Sequence, residues 1–250
     1  MERFFVPPPD MGRDEARISG GELKHLKNVL RLKAGAQVEV FDGLGKGFAG
    51  ILVEVGTTEA LVSLTAPVEE PRESPLRICL AQGMPKGERM DWIVQKATEL
   101  GVETVIPLEL SRCVVRLDGE RKRTDKQARW QKIALEAAKQ CGRLKLPDVL
   151  APMGLTTFLQ RIRPEDMLLI PWEEGGQPLR DFLWGTGSPD GAKARVYVMI
   201  GPEGGITEEE IESARKAGGQ TLTLGPRILR TDTAGLMLLS VLQYQWGDMG

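Results

Sequence analysis

Histidine is almost missing from this chain: the 250 residues contain one, His25. That excludes multi-histidine metal sites, and any Ser-His-Asp triad would have to use that single residue. Cysteine is also scarce. Cys79, Cys113 and Cys141 are odd in number, widely spaced and form no C-x-x-C. A zinc site or redox pair is therefore not expected, and scattered thiols suit a reducing compartment. No stretch approaches the ~18 consecutive apolar residues of a membrane span. The first ten residues, Met-Glu-Arg-Phe-Phe-Val-Pro-Pro-Pro-Asp, are too polar for a secretory signal. A soluble cytoplasmic protein is expected. There is no G-x-x-x-x-G-K-[ST], so no P-loop, and no internal repeat or low-complexity tract.

What is present is ordinary globular composition, with 41% hydrophobic and 27% charged residues. Thirty-three lysines and arginines face 35 acids, a net charge of -2. A strongly basic, histone-like binder is excluded, but the even total hides an uneven spread. From Arg112 to Lys145 there are eleven basic residues against four acids, a net of +7; from Pro164 to Glu212 there are three against eleven, a net of −8. A basic segment of that size is a candidate contact for a phosphate backbone.

The pattern along the chain changes near residue 70. Before it, Gln37 to Phe41, Phe48 to Val55 and Ala60 to Leu64 are short β-prone runs. The signals Asp42-Gly43 and Gly56-Thr57-Thr58 separate them, and one helical stretch around Leu23, Leu26 and Leu30 precedes them. These read as a small barrel over residues 1–70. The proline- and charge-rich residues 71–75 read as a linker. From 76 to 250 strands and helices alternate. The expected strands are Leu76–Ala81, Glu103–Leu108, Met167–Ile170, Val196–Ile200 and Thr221–Leu224. The expected helices are Glu88–Leu100, Asp125–Cys141, Thr207–Ala217 and Thr233–Trp246, the third of these opened by a Thr207/Glu210 capping box and the second by Thr124 with Gln127. Alternation with short apolar strands predicts an α/β domain on a parallel sheet.

One glycine pattern is a decoy. Gly45-x-Gly47-x-x-Gly50 matches a dinucleotide fingerprint, but a β-prone run follows it where the fingerprint needs a helix. A hairpin turn is expected. The informative stretches are three strand-end loops. Ile200-Gly-Pro-Glu-Gly-Gly-Ile206 follows a buried strand and opens a helix; Leu224-Gly-Pro-Arg-Ile-Leu-Arg-Thr-Asp-Thr-Ala234 does the same; Ile170-Pro-Trp172 ends another strand. Such loops meet at the carboxyl edge of a parallel sheet, where ligands bind. Glu208, Glu209 and Glu210 occupy the positive end of the helix after Gly205, which disfavours an anion and favours a cationic ligand without phosphates. A non-catalytic RNA-binding module would account for the basic segment and the barrel, but not for three such loops.

The two longer loops together resemble the RsmE family, ribosomal RNA uridine N3-methyltransferases of the SPOUT class. His25 with Val29-Leu30-Arg31, Lys86-Gly-Glu-Arg-Met-Asp, Glu99-Leu-Gly-Val102, Arg112-Cys and Gln140-Cys-Gly-Arg143 extend the resemblance nearly end to end. Asp232 and Lys139 stand where the family usually has glutamate. The resemblance implies a PUA-like barrel for RNA, a C-terminal α/β domain with a deep trefoil knot, and a homodimer acting on 16S ribosomal RNA of the small subunit. It also implies S-adenosylmethionine as methyl donor. The donor's expected contacts are Ile170, Pro171, Trp172, Ile200, Gly201, Pro202, Glu203, Gly204, Gly205, Leu224, Gly225, Arg227, Ile228, Leu229, Arg230, Thr231 and Ala234. Arg230 is the expected catalytic residue, orienting or stabilising the base, with Glu203 a second candidate. RNA contacts are expected at Arg3, Arg17, Lys24, His25, Arg31, Lys86, Arg89, Arg112 and Arg143. No metal is implied.

Overall fold

A computed structural model describes residues 1–70, 72–190 and 193–250. Pro71, in the expected linker, lies outside the described residues. The chain forms two compact units: residues 1–73 with 135–146, and residues 74–134 with 147–250.

The first unit is built on a five-stranded sheet in the order β1-β3-β4-β5-β2. β3 (Gln37–Phe41), β4 (Gly47–Val55) and β5 (Glu59–Pro67) are the three expected strands. β1 (Glu2–Phe5) and β2 (Glu15–Ser19) escaped the reading because prolines and short lengths hide their alternation, although Phe4, Ala16 and Ile18 are fully buried. The glycine decoy is a hairpin: β3 and β4 pair antiparallel with Phe41 opposite Gly47. Asp42 Oδ1 accepts the Leu44 and Lys46 N–H groups and holds the turn. α1 (Gly20–Lys24) runs into a single π turn at His25–Val29, in which Leu30 N–H donates to the His25 carbonyl.

Residues 135–146 join this unit although they lie far from 1–70 in sequence. They are the last turns of α3 (Glu120–Cys141) and the segment after it. Arg3 explains much of this. Its guanidinium donates to the carbonyls of Ala138, Lys139 and Arg143 and pairs with Glu39. These carbonyls lie in the last turn of α3 or just beyond it, where helix carbonyls run short of partners, although Ala138 also accepts from the Gly142 N–H. Arg143 is itself buried, and Glu73 holds it: the carboxylate accepts from Arg143 Nε and from the Leu144 and Lys145 N–H groups. Lys139 pairs with Glu22 and Glu136. Burial alone would lower its pKa, but these two carboxylates outweigh burial and raise it.

The second unit carries a wholly parallel sheet in the order β11-β13-β10-β12-β6-β7-β8, with β9 also on β7. Its members are β6 (Ile78–Gly83), β7 (Thr104–Glu109), β8 (Asp148–Val149), β9 (Met153–Gly154), β10 (Met167–Pro171), β11 (Gln177–Pro178), β12 (Val196–Ile200) and β13 (Gln220–Thr223). Every residue of β6 and β12 is buried, as expected for strands covered on both faces. The helices are α2 (Arg89–Glu99), α4 (Leu155–Leu159), α5 (Leu179–Gly185), α6 (Glu208–Lys216) and α7 (Thr231–Trp246). No helix among the described residues is long and apolar enough to cross a membrane.

One helix start differs from expectation. α3 begins at Glu120, so Thr124 and Gln127 do not form a capping box. The Thr124 hydroxyl donates to the Glu120 carbonyl one turn back, and Gln127 donates to the Val149 carbonyl. Gly119, at φ +90°, supplies the break just ahead of Glu120. The α6 start matches expectation: Thr207 Oγ1 accepts the Glu210 N–H, and the Glu210 carboxylate accepts the Thr207 N–H.

Candidate active site

Three strands of the parallel sheet, β10, β12 and β13, end side by side, and the chain turns out of each into a loop. Glycines stand where backbones approach one another closely around these loops. At Gly83, which ends β6, a Cβ would lie 2.6 Å from the Pro202 nitrogen. At Gly201 it would lie 2.8 Å from Ile206 Cγ1. Gly205 and Gly225 adopt φ of +78° and +102°, open to glycine at no cost.

A buried polar chain ties two of the loops together. Gln82, fully buried at the end of β6, donates from Nε2 to Thr231 Oγ1 at 2.8 Å and to the Gly83 carbonyl at 3.1 Å. Thr231 in turn donates its hydroxyl proton to the Gly201 carbonyl. One hydroxyl thus joins the first turn of α7 to the loop after β12. α7 itself packs directly on the sheet at Gly235, where a Cβ would sit 3.4 Å from atoms of Gln82, Ile200 and Leu80.

The loops enclose two adjoining cavities of about 170 and 340 Å³. The first is bounded by Trp172, Leu224 to Leu229 and their neighbours. The second is bounded by Arg89, Gly201, Glu203, Arg230, Thr231 and their neighbours. Pro171, Glu173, Ile228, Leu229 and Ala234 line both, so the two form one cleft at the carboxyl edge of the sheet.

Of the donor contacts expected from sequence, all but two line this cleft. Ile170 is fully buried beneath it, against Gly219. Gly204 turns instead toward Arg112, and a Cβ there would meet the Arg112 backbone oxygen at 3.1 Å. Arg230 precedes α7 and lines the second cavity; its guanidinium has no partner among the described residues. Glu203 is not a free carboxylate. Its Oε1 accepts from Arg89 at 2.8 Å and from the Lys86 N–H at 3.1 Å, so it ties the loop after β12 to the start of α2.

The expected RNA contacts divide. Arg17, Lys24, Arg31, Lys86, Arg89 and Arg112 are exposed, and His25 is half-buried at the start of the π turn. Arg112 also donates to the Gly204 carbonyl at 3.1 Å. Arg3 and Arg143 correct the expectation: both are interior, committed to Glu39, Glu73 and backbone carbonyls, and neither presents a guanidinium to a ligand. Four cleft residues were missed altogether. Thr223, Pro226 and Ile206 flank expected positions, and Glu173 directly follows Trp172. Gln82 was missed too, although an amide at the end of an apolar strand was a readable signal.

Two polar atoms at or beneath the cleft are left over. Trp172 Nε1 and Gln82 Oε1 are buried without a hydrogen-bond partner among the described residues. Trp172 lines the first cavity. The apolar walls of Leu224, Ile228 and Leu229 suit a flat ring.

Comparison with known proteins shows which family the chain resembles. Residues 72–243 match the model of an RNA methyltransferase domain, and residues 18–65 match an RNA methyltransferase PUA domain. The chain is 36% identical to ribosomal RNA small subunit methyltransferase E of Bacillus subtilis, over 98% of this chain and 97% of that one. It is 33% identical to the protein of the same name from Synechocystis, over 95% and 76%. A crystal structure of ribosomal RNA small subunit methyltransferase E from Neisseria gonorrhoeae bound to S-adenosyl methionine superposes with a TM-score of 0.89, at 34% identity and full coverage of both chains. This chain belongs to the ribosomal RNA small subunit methyltransferase E family.

Proposed function

We propose that this protein methylates N3 of a uridine in 16S ribosomal RNA, using S-adenosylmethionine held in the cleft of the second unit. The observation that carries the reading is the cleft itself: three strand-end loops, two of them joined through Thr231 and Gln82, meet at one edge of a parallel sheet. When bound, the donor supplies an electrophilic methyl on a sulfonium. Gly205 and Gly225, both at positive φ, keep side chains out of the loops that would hold it, and Trp172 would wall one side. The acidic start of α6 suits its positive charge.

Arg230 does the chemical work assigned to this chain. A uracil N3 must lose its proton before it attacks, and the resulting anion needs a cation beside it. The unpartnered Arg230 guanidinium at the second cavity is placed for that role. Glu203, paired with Arg89, positions the loop after β12 rather than receiving the proton. The exposed Arg17, Lys24 and Arg31 of the first unit, and Lys86, Arg89 and Arg112 of the second, are proposed phosphate contacts. The target base must leave its stack to reach the cleft.

The proposal includes a homodimer and a cytoplasmic location. α7 supports the former: Leu236, Met237 and Val241 are only half-buried and Tyr244 is exposed, an apolar strip on an otherwise packed helix. The deep knot expected from the resemblance belongs to the proposal as well. The test is transfer of labelled methyl to small-subunit RNA by Arg230→Ala. Loss of one such charge-stabilising group is expected to slow transfer by roughly 10²–10³-fold, with donor affinity nearly unchanged. Retained turnover would remove Arg230 from its role.

A further inference from the structure

Five residues line both cavities of the cleft, and only one of them ionises: Glu173. Its carboxylate has no ion pair or hydrogen bond among the described residues. The other carboxylate at the cleft, Glu203, is already matched by Arg89. Room for the Glu173 carboxylate comes from Gly205, where a Cβ would stand 2.9 Å from Oε1. Arg112 Nη1 would stand 3.4 Å from the same point, but it donates to the Gly204 carbonyl and forms no ion pair with Glu173.

This placement has a chemical consequence, which rests on the cofactor reading proposed above. S-adenosylmethionine is a two-part molecule. Its sulfur joins the adenosine to the methionine chain and bears the methyl. A molecule that lies across two adjoining cavities puts its joint at their seam. With the N3 proton already passed to water, methyl transfer breaks the S–CH₃ bond, leaves its electron pair on sulfur and forms the N3–C bond from the N3 lone pair. The sulfur thereby passes from a permanent cation to a neutral thioether. A carboxylate at the seam attracts the first and is indifferent to the second.

We infer that Glu173 is a specificity residue that distinguishes the methyl donor from its demethylated product by the charge on sulfur, favouring donor entry and product release. The α-ammonium is common to donor and product, so it cannot produce such a difference. Carboxylate–cation pairs at partly exposed sites are modest in strength, and screening by salt reduces them further.

The test is calorimetric titration of the full chain, wild type and Glu173→Gln, with S-adenosylmethionine, S-adenosylhomocysteine and a donor analogue carrying an ammonium in place of the sulfonium. Donor and ammonium analogue are expected to bind the variant roughly three- to tenfold more weakly, and S-adenosylhomocysteine within about twofold of wild type. Glu173→Asp, which keeps the charge, is expected to recover part of the loss. Equal weakening of donor and product would overturn the inference, because Glu173 would then act on a shared group or on loop shape. So would no change in either. Failure of the wild type to bind any of the three would instead remove the cofactor site itself, and is distinguished by needing no variant to see it.

Discussion

Thr231→Val is the sharpest perturbation of the polar chain beneath the cleft. Valine matches threonine in shape, so the change creates almost no cavity. It removes a hydroxyl that accepts from Gln82 and donates to Gly201. Gln82 is fully buried and its Oε1 already lacks a partner, so the amide would retain only its bond to the Gly83 carbonyl. Leaving a buried donor and acceptor incompletely satisfied costs about 1–3 kcal/mol each, offset in part by the added methyl, for a net loss of about 2 kcal/mol. For a chain of this size that is a fall of about 5 °C in Tm. All five tryptophans lie in the second unit, so their fluorescence follows its unfolding selectively. Thr231→Ser keeps the hydroxyl and is expected to retain most of the stability and donor affinity. A valine variant as stable as wild type, or a serine variant as unstable as valine, would refute the hydrogen-bond account.

The other predictions concern charge. Glu73→Ala removes the carboxylate that holds buried Arg143 and two backbone N–H groups, and is expected to destabilise the first unit by about 3 kcal/mol, read by chemical denaturation. Burial pushes the Glu103 carboxyl up, but hydrogen bonds and charge from Arg77 and Arg195 outweigh it and hold the pKa below its ordinary value. A depressed folded pKa gives stability that is present above the ordinary glutamate range, near about 4.3, and lost as pH falls below it. Glu103→Gln should therefore melt lower than wild type at pH 7, with the gap closing as pH falls through about 4 and below. A gap independent of pH would contradict this.

Much of the second unit was readable because its strands are short, apolar and separated by helices with an obvious face. β12 and α6 lie where the pattern places them, down to the capping box at Thr207. The cleft was readable for the same reason, since a strand-end glycine marks a place where a backbone must turn sharply. What was hidden depends on partners distant in sequence. Arg3 and Arg143 look like RNA contacts until Glu39 and Glu73 are seen to take them inward. Glu203 looks like a second catalytic candidate until Arg89, 114 residues away, is found on it. The grouping of residues 135–146 with the first unit has no local signal, because it rests on carbonyls that Arg3 satisfies from the other end of the sequence.

The central claim is methyl transfer to N3 of a uridine in 16S ribosomal RNA, and one measurement tests it most directly. Small ribosomal subunits lacking the modification are incubated with this protein and labelled S-adenosylmethionine, and the labelled nucleotide is located by reverse transcription and identified by mass spectrometry. A methyl on N3 blocks the pairing edge of uracil, so the account predicts one strong reverse-transcription stop in 16S RNA, coincident with label that yields 3-methyluridine. Label at a ribose oxygen, on another base, or absent from the RNA would contradict it.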